Sequence, residues 1–369
     1  MGYVRAVQNP SCQRREWRSR KEDIVGIVAR RFRVPLLIVG ISLTASVVLT
    51  SSRFYYAYTV QPKNFLVNDD FVRHSLIMKG NAEAPLCYRV LTEYALEAFC
   101  RISRLTMPEH YPQVAFVFKV VQNFIVFLSL SIYLRSGGMT GPAILLGVFM
   151  FALASHFSFY SSDLAYSTFS EMIFLFLSGY AINRGASGIQ VVLLTVVAAL
   201  NRETAVFIPG MYLANTLFCG WKYRSLKENI ELLHSKSTGV GVVAILSFLA
   251  VYVGLRLLIV PNGYSGSRYG AVYPGLHLAW LNIVNYRTWR GLLWMYGILP
   301  FTLLYWTRWP SQLRAYAIVC GIPWFAVQFL FGSTDETRLF LTPLGLILIP
   351  ASLRLVAGAV LDGHGKQDR

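Results

Sequence analysis

The sequence predicts an all-α, polytopic transmembrane helical bundle with interfacial helices in its first extracytoplasmic loop. Three observations carry that expectation. Long, nearly uncharged stretches recur from Pro35 to the last fifteen residues of a 369-residue chain that is 55% hydrophobic and 14% charged. A soluble chain of this size carries roughly a quarter charged residues. The basic residues behind a net charge of +16 sit in tails and loops between the apolar runs, where membrane topology alone requires them. That placement argues against nucleic acid as a partner. The first outer loop, finally, is long and carries helical periodicity of its own.

Residues 1–33 are a basic tail with Arg14, Arg15, Arg18, Arg20, Lys21, Arg30, Arg31 and Arg33, which predicts a cytosolic N-terminus. No small-residue cleavage site follows the first apolar run, so that run is an uncleaved span. The transmembrane domain covers 34–357 in about ten helical segments, and 358–369 form a second cytosolic tail. Apolar windows of spanning length occur near 34–52, 113–134, 142–160, 165–182, 239–260, 291–307, 313–331 and 337–357.

The stretch 188–219 is the exception, because Asn201, Arg202, Glu203 and Thr204 interrupt its middle. As one helix it would reach roughly 45 Å, too long for a hydrocarbon core of about 30 Å. Charge bias decides the matter. Arg184 precedes it and WKYRSLKENIELLHSKS follows it, both basic and both cytosolic by the same rule. The segment therefore leaves and returns as a short helical pair, with Arg202 and Glu203 at a tip sunk below the membrane surface. Backbone at that depth needs protein or a watery cavity around it. The tip thus reads as the wall of an outward cavity bearing an ion pair, or as a turn pinned by a structural Arg202–Glu203 bridge.

This topology puts 53–112, 161–164, 261–290 and 335–338 outside, and each carries charged or hydrogen-bonding groups that lipid makes expensive. In the first loop, LTEYALEAFCRISRL sets Leu91, Ala95, Ala98, Ile102 and Leu105 on one helical face and spaces Glu97 favourably to Arg101. That pattern is an interfacial helix lying on the membrane. NDDFVRHSLIMKG reads as a second short helix capped by Asn68, Asp69 or Asp70. Asp163 fits a helix N-cap or a site acid, and Asp335 and Glu336 fit first-turn charges or a site. Five scattered cysteines show no metal spacing; Cys87 and Cys100 share one loop and could pair only in an oxidising compartment.

Three stretches resemble the GT-C glycosyltransferases, integral membrane enzymes that use polyprenyl-phosphate sugars. One is the acidic first loop with its interfacial helices. Another is APLCYRVLTEYAL, similar to a P-[FY]-x-Y-R-x-L-x-P pattern, with Thr92 following Leu91 where proline is usual. The third is STDETRLFLTP, in which Glu336, Arg338, Phe340 and Pro343 approximate Glu-x-Arg-[FY]-x-x-P, with Leu339 in the aromatic position. The resemblance implies a first-loop carboxylate, Asp70 or Asp69, as general base. Asp70 is favoured because His74 lies one helical turn on. It implies that Arg338, Arg202 and Arg89 face the phosphate of the donor, and that Asp163, Glu203, His74 and Glu336 serve the acceptor or support the site. No metal is dictated; a divalent cation such as Mg or Mn at Asp163 is compatible. The implied partners are a polyprenyl-phosphate-linked sugar, membrane lipids and a glycan or lipid acceptor, in a multi-pass cell membrane of the bacterial inner-membrane kind. A transporter or lipid flippase shares the broken helix, although transporters usually repeat it in two halves and this chain shows one. An O-antigen-polymerase-like enzyme is a related alternative.

Overall fold

The computed structural model describes residues 34–52, 54–55, 65–84, 86–104, 110–161, 166–218, 235–259, 275–297, 299–332, 334 and 336–364. Among them the chain is all-helical. In order, the first helices are α1 (Val34–Ser52), α2 (Phe65–Met78), α3 (Val90–Ser103), α4 (Tyr111–Ser136), α5 (Gly141–Ser161) and α6 (Tyr166–Asn183). There follow α7 (Gly188–Ala199), α8 (Phe207–Phe218), α9 (Lys236–Leu258), α10 (Leu276–Val284), α11 (Tyr286–Tyr296), α12 (Ser311–Phe331) and α13 (Thr337–Gly358). Six of the described helices, α1, α4, α5, α9, α12 and α13, are long and apolar enough to cross a membrane. This is compatible with a multi-pass membrane protein.

Two expectations about the elements need correction. The window 291–307 is not one span. Its helix stops at Tyr296, Gly297 takes a φ of 53°, and a 3-10 stretch runs from Leu299 to Arg308. Glycine enters that region of φ without a Cβ clash, and Pro300 has no amide hydrogen to continue a helix. The helix α2 begins at Phe65, so Asn68, Asp69 and Asp70 lie inside it rather than at its cap. The side chains of Asp69 and Asp70 lie outside the described residues, as does the whole of Asp163.

Other expectations hold. The stretch 188–219 is two short arms, α7 and α8, of 12 residues each, about 18 Å apiece. Glu97 and Arg101 pair at 2.9 Å across one turn of α3. That helix buries Thr92, Glu93, Leu96 and Cys100 and turns Tyr94, Ala95, Ala98 and Ile102 outward, with Ile102 81% exposed. Of the apolar residues picked out by periodicity, Ala95, Ala98 and Ile102 therefore face away from the bundle, Leu91 is half-buried, and Leu105 lies outside the described residues.

Packing is tight where small residues let helices approach, as in membrane bundles generally. α4 lies along α6, and α9 lies against both α7 and α8. A Cβ on Gly188 would come within 2.6 Å of Val240, and one on Gly241 would overlap the Leu213 side chain. Phe127, Leu130, Phe151, Phe169, Phe176 and Leu344 form the centre of the core.

Proline shapes the last two spans. Pi-helical turns at Ala317–Gly321 and Leu344–Leu348 precede Pro323 and Pro350. Proline lacks the N–H that would bond the carbonyl four residues back, and lipid supplies no substitute. Side chains fill the role. Tyr133 Oη donates to Leu346 O at 2.8 Å, the carbonyl Pro350 leaves free, and Trp324 Nε1 donates to Leu339 O at 2.7 Å, the one Pro343 leaves free. α4 and α12 are thereby fastened to α13.

Candidate functional site

The site is built around the sharp turn between α7 and α8. A capping box of Ser187 and Gln190 starts α7, and Leu200 ends it. The carbonyl of Leu200 then accepts the amide of Leu91 at 3.1 Å, so one of the amides that a helix start leaves without an intrahelical partner is satisfied by the end of another helix. Thr92 of α3 donates to Asn201, and Asn201 Nδ2 donates to Ser167 O of α6 at 2.9 Å. The first loop, the hairpin tip and α6 are thus knitted together by neutral hydrogen bonds before any charge is considered.

Arg202 does not pair with Glu203, contrary to expectation. Its Nη1 donates to Glu171 Oε2 of α6, with the two side chains 10% and 3% exposed. Arg202 is in extended backbone (φ −157°, ψ 155°), which sends its side chain inward to α6 while Glu203 opens the following 3-10 turn on another side. Glu203 instead faces two other cations, Arg89 Nη2 at 4.0 Å and Arg256 Nη2 at 3.6 Å. The Arg256 guanidinium lies over the rings of Tyr252 at 3.4 Å and Tyr88 at 4.4 Å. Arg338 is held by Glu336 through Nη2 at 2.6 Å and Nε at 3.1 Å.

Electrostatics join these pairs into one cluster. Burial first, and then the positive charge of Arg202 with a further contribution from Arg338, pushes the Arg89 guanidinium down to about 10, although Glu203 and Glu171 oppose this. Burial alone would raise Glu203, yet Arg89, a backbone amide, Arg202 and Arg256 outweigh it and hold the carboxyl below its ordinary range. Two buried atoms, Arg89 Nε and Glu171 Oε1, have no hydrogen-bond partner among the described residues. Buried polar atoms seldom stay unpaired.

The structure therefore brings together Arg89, Arg202, Glu203, Glu336 and Arg338 of the residues singled out in the sequence. His74 lies elsewhere, buried between α2 and α3, with Nδ1 2.9 Å from Glu93 and Nε2 3.7 Å from Glu97. Among the described residues no group of three or more His, Cys, Asp or Glu could hold a metal ion. Cys87 and Cys100 are separate buried thiols in different hydrophobic clusters.

Sequence reasoning missed Glu171, Arg256 and Lys119. Each was visible as a lone charge inside an apolar run, which in a membrane protein is itself a functional signal. Lys119 is buried in α4, its Nζ 4.9 Å from the ring centre of Tyr166 and 5.8 Å from that of Phe54. No protein-family model, no curated protein and no solved structure matches the chain.

Proposed function

We propose that the chain is a membrane glycosyltransferase of the GT-C kind. It transfers a hexosyl or pentosyl group from a polyprenyl-phosphate donor to a glycan, lipid or protein acceptor on the extracytoplasmic face, with inversion. The observation that carries this reading is the meeting of Arg89, Arg202 and Arg338 at one end of the helical bundle. They come from the first loop, the hairpin tip and the approach to α13. At the other end lie Arg135, Arg184, Arg308, Arg314 and Arg354, near a network in which Asn183 bonds Ser136 and Gln312 and Arg354 bonds Gly137 O. That charge bias supports a cytosolic assignment for the second end and an outer-leaflet site at the first. α3, joined to the hairpin tip and with Ala95, Ala98 and Ile102 turned outward, suits the membrane interface at the first end.

In this mechanism Asp70, or Asp69, takes the proton of the acceptor hydroxyl as its oxygen attacks the anomeric carbon. The bond from that carbon to the phosphate oxygen breaks on the opposite face, and polyprenyl phosphate leaves with one more negative charge than it had as a diester. Guanidinium groups fixed beforehand stabilise that charge without reorganising, and their fork matches phosphate oxygens in pairs.

The test is release of polyprenyl phosphate by purified protein given a polyprenyl-phosphate sugar and candidate acceptors. Asp70→Asn should abolish it while the melting temperature stays put. Full activity in both Asp70→Asn and Asp69→Asn removes the proposed base. Solute movement across proteoliposomes without consumption of lipid-linked sugar would replace the reading by a transporter.

A further inference from the structure

The end of the bundle opposite the arginine–glutamate cluster carries the stronger charge. By the topology read from the sequence, that side holds 20 lysines and arginines against seven aspartates and glutamates, counting both tails and every loop on it. Topology alone accounts for the amount of that charge, since positive loops stay on the cytosolic side. It does not require the guanidinium groups to be fixed, and here they sit on a built frame. Asn183 Nδ2 donates to Ser136 Oγ at 2.9 Å, and Gln312 Nε2 donates to Asn183 Oδ1 at 2.5 Å and to Tyr316 Oη at 2.9 Å. The end of α4, the end of α6 and the start of α12 are thereby held together without charge.

Arg354 of α13 reaches across to the turn after α4 and donates through Nη2 to Gly137 O. Gly138 follows with a φ of 76°, and a Cβ there would come to 3.0 Å from that same nitrogen. The Arg308 guanidinium lies 5.6 Å from the ring centre of Tyr305, on the 3-10 stretch that packs against α13. Arg314 stands in the first turn of α12, where the helix dipole disfavours a cation and Pro310 offers no capping side chain. Its buried Nε has no hydrogen-bond partner among the described residues. An anion at this end would offset both defects.

We infer that this end binds a phospholipid with a negatively charged headgroup from the leaflet around it, its phosphate taken by Arg354 with Arg135, Arg308 and Arg314 adding attraction. The site lies away from the proposed sugar-transfer site and does not rest on that reading. Arg135, Arg308 and Arg354 are exposed, as a headgroup arriving from the membrane requires. The bond to Gly137 O uses one nitrogen of Arg354, which leaves the rest of a planar fork for phosphate oxygens, an arrangement lysine does not reproduce. Acyl chains have apolar surface beside the arginines, since Leu304 and Val356 are 77% and 56% exposed. Basic pockets between spans on this side suit anionic headgroups in general.

The test uses full-length protein in a neutral detergent, titrated with dioleoyl phosphatidylglycerol or dioleoyl phosphatidylcholine and followed by native mass spectrometry. Phosphatidylglycerol should be retained in preference, and high salt should weaken it. Arg135→Gln and Arg308→Gln should each weaken it about fivefold, and together about twentyfold. Arg354→Lys keeps the charge and should weaken it as well, while Arg101→Gln, an exposed arginine at the opposite end, should leave it unchanged. Equal retention of the two lipids overturns the site, as does full binding by the Arg135→Gln, Arg308→Gln double variant. Full binding by Arg354→Lys reduces the site to diffuse surface charge, and an equal loss in Arg101→Gln does the same; either result overturns it. Displacement by soluble glycerol phosphate at the concentration of the lipid itself overturns the membrane source in favour of a free anion.

Discussion

Removal of Glu171 is the sharpest test of how the hairpin tip is held. Its carboxylate is 3% exposed and accepts from Arg202, itself 10% exposed. Glu171→Gln keeps an oxygen that can accept from Arg202 but leaves the guanidinium buried without its counter-charge, a change that costs about 3–5 kcal/mol where nothing compensates. Here Glu203 and Glu336 still act on Arg202 through space, which points to the lower end, about 3 kcal/mol. That corresponds to roughly a hundredfold in the folded population. Unfolding of the purified protein by SDS titration in mixed micelles measures it, with tryptophan fluorescence as the signal. The double variant Glu171→Leu with Arg202→Met replaces both charges by apolar groups of similar size. It should recover most of the loss, because an apolar pair avoids desolvation altogether. Sugar transfer, if it depends on Arg202, stays absent in the double variant even as stability returns. A single-variant effect under about 0.5 kcal/mol, the scatter of ordinary surface changes, would refute the idea that this bond anchors the tip.

Three further outcomes follow from particular contacts. Tyr133→Phe removes the donor to Leu346 O without changing the ring, and should lower stability by about 1–3 kcal/mol in the same titration; a change near zero would mean that the proline-freed carbonyl has another partner. Gly241→Val forces a side chain into Leu213 and should destabilise by about 1–3 kcal/mol while pushing α9, and with it Arg256, away from Glu203. A melt at wild-type temperature contradicts the close approach. Glu203 is held below its ordinary value of 4.5 in the folded chain. Its stabilisation is therefore complete above that value and is lost as pH falls through the folded one. The melting-temperature gap between wild type and Glu203→Gln should close on going from pH 6 to pH 3, and a gap that widens instead reverses the assignment.

Six of the eight predicted windows were legible because apolar length is a local property, read without knowing any partner. The same holds for the bent 188–219 segment, where charge bias on either side left one geometry. The failures are of another kind. The window 291–307 is apolar enough, but Gly297 and Pro300 break it, and hydropathy does not weigh backbone geometry. Arg202 and Glu203 are adjacent in the chain, which suggested a pair. The extended backbone at Arg202 instead gives it a partner 31 residues earlier, Glu171, and leaves Glu203 to Arg89 and Arg256. Arg256 went unnoticed because it ends an apolar window like any snorkelling terminal arginine. Its stacking on Tyr252 and Tyr88 and its approach to Glu203 show that it turns toward the protein.

Among the described residues, four arginines and three glutamates meet at one end of the bundle, an unfavourable way to stabilise a fold. Well-packed apolar groups of the same volume would hold α6, α7 and α9 together with no desolvation cost. The elements also have neutral fastenings of their own. Thr92, Asn201, Ser167 O and the Leu91–Leu200 backbone bond join the same loop, tip and helix. Since these neutral bonds already join the same elements, the presence of so many charges in a low-dielectric setting argues for work done on a charged ligand. The unequal pairing sharpens this. Had the cluster served structure alone, each guanidinium would be expected to reach a carboxylate of its own, as Arg202 and Arg338 do. Arg89 and Arg256 instead face one acid across 4.0 and 3.6 Å, with stacked tyrosines in place of a second carboxylate. Supplying that second carboxylate is therefore the converse experiment. Tyr88→Glu should set a carboxylate beside Arg256, raise or preserve stability, and lose binding of the polyprenyl-phosphate donor.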